Sequence, residues 1–183
     1  MRRLLLVALL TMTSLAVGGA QRVLAQDADA TAAPTTFGQF LRASGLTVSD
    51  AELAYLDADE RLEQSYMLAL TNLQLLAATP AEQQNDQWRQ SLTAELNRLI
   101  SMDPAGVPQA PPSLQRFRDM GIEHRRHIQQ AAQQWLAGVQ ANDPQWNTRG
   151  ADEERAAGES YTAWMQELAA RFPPPQSSDS QQP

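Results

Sequence analysis

The sequence predicts an all-α fold: an antiparallel up-down bundle of about four helices, with a short extra helical turn on its N-terminal side. Apolar residues recur at three- and four-residue steps through four long segments, the spacing of one helical face. Proline, glycine and asparagine separate those segments, and neither an alternating Val/Ile/Thr run of strand type nor an internal repeat occurs. Short connections favour antiparallel neighbours, and a helical hairpin that pairs with a second copy is the competing architecture.

Residues 1–25 have the order of a secretory signal peptide. Arg2 and Arg3 are followed by an apolar run from Leu4 and by small residues up to Ala20. Val23-Leu24-Ala25 places small side chains one and three residues before a cut after Ala25; Val17-Gly18-Gly19-Ala20 is the second choice. A retained membrane anchor is the competing reading. The stretch from Leu4 to Ala20 is short for a span and is interrupted by Thr11, Thr13, Ser14, Gly18 and Gly19. Residues 26–36 are small and polar and read as a flexible linker, and residues 37–172 as the bundle domain.

Within that domain Phe37, Phe40, Leu41 and Leu46 form a short helical patch ended by Gly45. The first long helix starts at Ser49, where Ser49-Asp50-Ala51-Glu52 is a capping box, and continues to Pro80 with Tyr55, Leu62, Tyr66, Ala69, Leu73 and Leu76 on one face. Thr79-Pro80-Ala81-Glu82 reads as the capped start of the second helix, with a sharp reversal and no room for a loop. Its stripe is Trp88, Leu92, Leu96, Leu99 and Met102. Four prolines and a glycine between Pro104 and Pro112 exclude helix there and predict a linker across the bundle end. The third helix, from about Ser113 to Ala141, carries Leu114, Phe117, Gly121, His124, Ile128, Ala131, Trp135 and Val139 on one face. The fourth begins near Ala151 and carries Ala157, Tyr161, Trp164, Leu168 and Phe172. Pro173-Pro174-Pro175 ends it, and residues 173–183 read as a disordered tail.

Composition narrows the function classes. The formal net charge is −7, and loss of Arg2, Arg3 and Arg22 with the signal leaves 11 Arg against 21 acidic residues, or −10. Such a surface repels phosphate backbones, so nucleic acid is not an expected partner. Cysteine is absent, which removes disulfides, thiol catalysis and thiolate metal sites. No phosphate-binding glycine loop, Gly-x-Ser-x-Gly or His-Glu-x-x-His occurs, so no residue is assigned a catalytic role.

The candidate chemistry centres on the only two histidines, His124 and His127, three apart and therefore neighbours on one helix. Counted at about 1.5 Å per residue from a shared bundle end, His124 lies about 26 Å down. Glu63 and Glu95 come to about 22 Å and Glu167 to about 24 Å by the same rise. That layer makes His124, His127, Glu63, Glu95 and Glu167 the candidate ligands of a divalent transition metal. Against it, the Glu-x-x-His of di-iron bundles is missing, since Gly121 stands three before His124. The competing reading makes His124 a hydrogen-bonded histidine of the core edge, with His127 nearer the surface.

Asp57, Asp59, Glu60 and Glu63 with Arg61 read as a solvated helix segment. Arg116, Arg118, Arg125 and Arg126 read as neutralising acids on adjacent helices, with a contact face for an acidic partner or envelope polymer as the competing role. Trp88, Trp135 and Trp164, with Tyr66, are core aromatics or the lining of an apolar pocket. The expected function is therefore an exported, periplasmic or secreted, non-enzymatic bundle that binds a protein or envelope component, without cofactor and without membrane insertion after cleavage. The alternative is a metal-binding bundle.

Overall fold

A computed structural model describes residues 36–173; the signal segment, most of the linker and the tail lie outside them. The described residues contain five α-helices and no strand. These are α1 (Phe37–Ala43), α2 (Asp50–Ala77), α3 (Asp86–Ser101), α4 (Gln115–Gln140) and α5 (Ala151–Arg171). No described helix is long and apolar enough to cross a membrane.

The Thr36 side chain caps α1, and Gly45 ends it at φ +79°, with Leu46 N–H donating to the Leu41 carbonyl. This left-handed residue after the helix costs least as glycine. Gly38 has no side chain to obstruct Leu53, so α1 lies directly on α2, and the Phe37 N–H donates to Glu60 at 2.8 Å. The capping box at Ser49 is formed as the sequence indicates. Glu52 does more than cap. Its second oxygen accepts from Ser113 Oγ at 2.7 Å and pairs with Arg171, tying the start of α2 to the entry of α4 and the end of α5.

The second helix does not start at Thr79. Pro80 and its successors make a single 3-10 turn, Ala81–Gln83, and α3 begins at Asp86, capped by Asn85, whose side chain accepts from Trp88 N–H at 3.0 Å. Gln84, at ψ 75°, breaks the turn before it can propagate. The extra residues supply the reversal for which the sequence reading left no room.

The third helix is preceded by a 3-10 turn, Pro112–Leu114. All eight residues expected on the core face of the third helix are buried, Leu114 in the 3-10 turn and the other seven in α4, joined by Ile122, Arg125, Ala132 and Gly138. Asn142, at φ 53°, turns the chain after α4, and Gly150, at φ 76°, starts α5 against the backbone of Ala131.

The interior consists of two apolar clusters. One joins Tyr66 and Leu73 of α2, Leu92, Leu96 and Leu99 of α3, Ile128, Ala132 and Trp135 of α4, and Ala157 of α5. The other joins Leu41 of α1, Tyr55 and Leu56 of α2, Leu114 and Phe117, and Trp164, Leu168 and Phe172. Helix α3 serves only the first, because it stops at Ser101. Beyond it the proline-rich linker runs beside the other helices rather than across the bundle end. The Pro104 carbonyl lies near Arg125, and Val107 and Ala110 pack into the second cluster. Gln129 fastens the junction by donating to the α3 carbonyls of Leu99 and Ile100 and to that of Met102.

Candidate functional site

Between the two apolar clusters lies a polar layer built from α2, α4 and α5. On α2, Tyr55, Asp59, Glu63 and Tyr66 follow one another at steps of four, four and three, so the two acids stand on the same face as the two buried tyrosines. On α4, His124 and Arg125 are adjacent in sequence and about 100° apart around the axis, so one reaches α5 and the other α2. Exposure is 0% for both His124 and Arg125 and 3% for Asp59.

Arg125 is the hub. Its Nη2 donates to Asp59 Oδ1 at 2.7 Å, its Nε to Glu63 Oε2 at 3.2 Å and its Nη1 to the Pro104 carbonyl at 3.4 Å. The guanidinium also lies 5.1 Å from the Trp164 ring, a cation–π separation. His124 completes the layer, with Nδ1 3.0 Å from the Ala157 carbonyl oxygen on α5 and Nε2 3.5 Å from Glu63 Oε1. Its ring stacks on Trp164 and lies 5.3 Å from Tyr161. Trp164 reaches this position because Gly121 has no side chain; a Cβ there would stand 3.0 Å from the indole.

Burial sets the electrostatics. It opposes the Arg125 charge, yet Asp59 and Glu63 hold the guanidinium above its ordinary pKa. Burial pushes the Asp59 carboxyl up in spite of Arg125. At Glu63 burial also acts upward, but His124 and Arg125 outweigh it and hold the carboxyl below the usual value. Burial raises the hydroxyl pKa of Tyr55, Tyr66 and Tyr161 alike.

Of the five candidate metal ligands, the structure brings His124 and Glu63 together. His127 stands apart from them, with Nδ1 2.7 Å from Glu153 Oε2 at the partly exposed edge of α4 and α5. Glu95 accepts from Asn72 at 3.2 Å and faces Arg98, and Glu167 pairs with Arg116 at 3.2 Å. Among the described residues no three His, Asp or Glu side chains form a metal-binding group.

The solvated reading of Asp59 and Glu63 is corrected by their burial against Arg125. The signal was present in the sequence. Asp59 lies four residues after Tyr55 and seven before Tyr66, a stripe position, and an acid there needs a buried cation. The four aromatics do not share a pocket either. Trp135 and Tyr66 are core of the first cluster and Trp164 of the second, while Trp88 is only half-buried and donates its indole N–H to the Leu76 carbonyl at 2.8 Å. Compared with known proteins, the chain matches no family model, no curated protein and no solved structure.

Proposed function

We propose that this chain is an exported, non-enzymatic binding module of the cell envelope or extracellular space, working through the outer faces of its helices on a protein or envelope component. The observation that carries the reading is the mutual engagement of Asp59, Glu63, His124 and Arg125. These acid and base groups pair with one another inside the protein, and a catalytic set must instead meet a substrate in a cleft. Among the described residues, one surface hollow of about 290 Å³ lies along α4 and α5 beside Met120, Glu123, His127 and Ser160, and another of about 420 Å³ lies on α3 beside Arg89 and Thr93, both away from the polar layer. Export is supported by the order of residues 1–25, which is charged, then apolar, then small up to Ala20, with Val23-Leu24-Ala25 before the expected cut.

The test is expression of the full chain with its own N-terminus, followed by cell fractionation and intact-mass measurement. The reading expects a species that begins near Gln26 and is recovered outside the cytoplasm. Full-length protein retained in the cytoplasm or embedded in the membrane overturns it.

A further inference from the structure

The outer face of α2 differs in charge from the rest of the surface. The chain carries a net −7, yet residues 64–81 contain no charged side chain and no histidine, the longest such run among the described residues. Because α2 continues to Ala77, the side of its second half that turns away from the core lacks charge as well. Leu68 and Leu75 stand there, 53% and 68% exposed, and among the described residues they are the large apolar side chains left exposed. Seven residues apart on one helix, they lie one above the other, opposite the buried stripe of Tyr66, Ala69, Leu70 and Leu73. Single exposed leucines need no explanation. Two aligned on a charge-free face have the composition of an interface core, where charged residues are depleted.

The ends of this face indicate what fits it. Arg61 precedes it on the same side of α2, and Glu82 follows its other end in the 3-10 turn Ala81–Gln83. Both are exposed, and neither forms an ion pair among the described residues. A two-fold axis between Thr71 and Asn72, perpendicular to α2, sets two copies of the helix antiparallel. Leu68 of one copy then meets Leu75 of the other, and Arg61 of one approaches Glu82 of the other. Each contact occurs twice, as an isologous interface requires. A parallel pairing would instead oppose Arg61 to Arg61 and Glu82 to Glu82. Repulsion between acidic copies also directs them to meet where charge is absent.

We propose that the outer face of α2 is a self-association surface, on which residues 64–79 dock antiparallel against the same residues of a second copy of this chain. Leu68 and Leu75 form its centre, and Arg61 and Glu82 close its two ends. The inference is independent of what else the protein binds. Two leucines from each copy fall well short of the roughly 20–30 residues a side of a standard stable interface, so association is reversible and is populated toward millimolar rather than nanomolar concentration.

Sedimentation equilibrium of protein recovered from cells expressing the full chain reads mass against concentration from micromolar to millimolar. The mean mass is expected to rise from one chain toward two. Leu68→Glu and Leu75→Lys, both at positions exposed in the single copy, keep the urea midpoint measured at low concentration and hold the mass at one chain. Mixed in equal amounts the two variants pair again, because the introduced carboxylate of one copy meets the introduced ammonium of the other while the remaining leucines still meet. An unmodified chain that stays monomeric at millimolar concentration overturns the proposal and leaves the face to a different partner. Association that survives either single substitution overturns the choice of face, and a mixture that stays monomeric overturns the antiparallel register.

Discussion

Replacing Arg125 by methionine keeps most of the side-chain volume and removes the guanidinium that three groups share. Asp59 loses a partner at 2.7 Å, Glu63 one at 3.2 Å and the Pro104 carbonyl one at 3.4 Å. Because Asp59 and Arg125 are almost wholly enclosed, water cannot take over those contacts. Breaking such a pair costs about 3–5 kcal/mol, which for a chain of this size lowers Tm by roughly 6–20 °C. The triple variant Arg125→Met, Asp59→Asn, Glu63→Gln leaves no stranded charge and is expected to recover most of the loss, since replacing a whole buried ion cluster is often close to neutral. Urea denaturation followed by helical circular dichroism measures all of these. A loss below about 1 kcal/mol for the single variant, the range of exposed ion pairs, would refute the reasoning. So would a triple variant less stable than the single one.

The remaining expectations use the same assays. Burial acts to raise the Glu52 carboxyl, but the Ser49 backbone N–H, the hydroxyls of Ser113 and Ser49, and Arg171 hold it at about 2. Its contribution is therefore complete above the ordinary value of 4.5 and disappears as pH falls toward 2; Glu52→Gln should flatten the stability curve over that window, and an unchanged acid limb would count against the clamp. Gly121→Ala forces the Trp164 indole to shift, at a cost of about 1–3 kcal/mol with an altered near-ultraviolet signal; a neutral substitution would mean that Trp164 is not held there. Trp135→Ala should cost about 3–5 kcal/mol and Trp88→Ala clearly less, because Trp88 is half-exposed in the first turn of α3; equal losses contradict the core assignment. Zinc added to dialysed protein should leave Tm unchanged, and a rise of several degrees would revive a metal centre at His124.

The four long helices and their faces were legible because periodicity, a capping box and proline breaks agree locally; every residue expected on the core face of the third helix is buried. The start of α3 was misread because Thr79-Pro80-Ala81-Glu82 satisfies the sequence rule for a cap while Asn85 satisfies the geometry. That choice depends on how much chain a reversal needs, which local rules do not contain. His124 was legible as a buried histidine from its place between Phe117 and Ile128, and the layer count set Glu63 beside it. The pairing of Asp59 with Arg125 was not legible, because charge pattern alone reads Asp59 as solvated, and its burial depends on Arg125 arriving from a helix more than sixty residues away in sequence. The lining of the second cluster by the proline linker was equally hidden, since it follows from α3 ending short of its neighbours.

The polar layer of Asp59, Glu63, His124 and Arg125 lies between the two apolar clusters, and the account's central claim, that it couples them, is tested most directly by cooperative unfolding. Trp135 belongs to the first cluster and Trp164 to the second, so their indole N–H signals in a urea titration followed by NMR report each half without any substitution. If the layer couples the halves, both signals lose native intensity at one urea concentration, as a single two-state unit requires. Separate midpoints, with one indole still native where the other is lost, would contradict it.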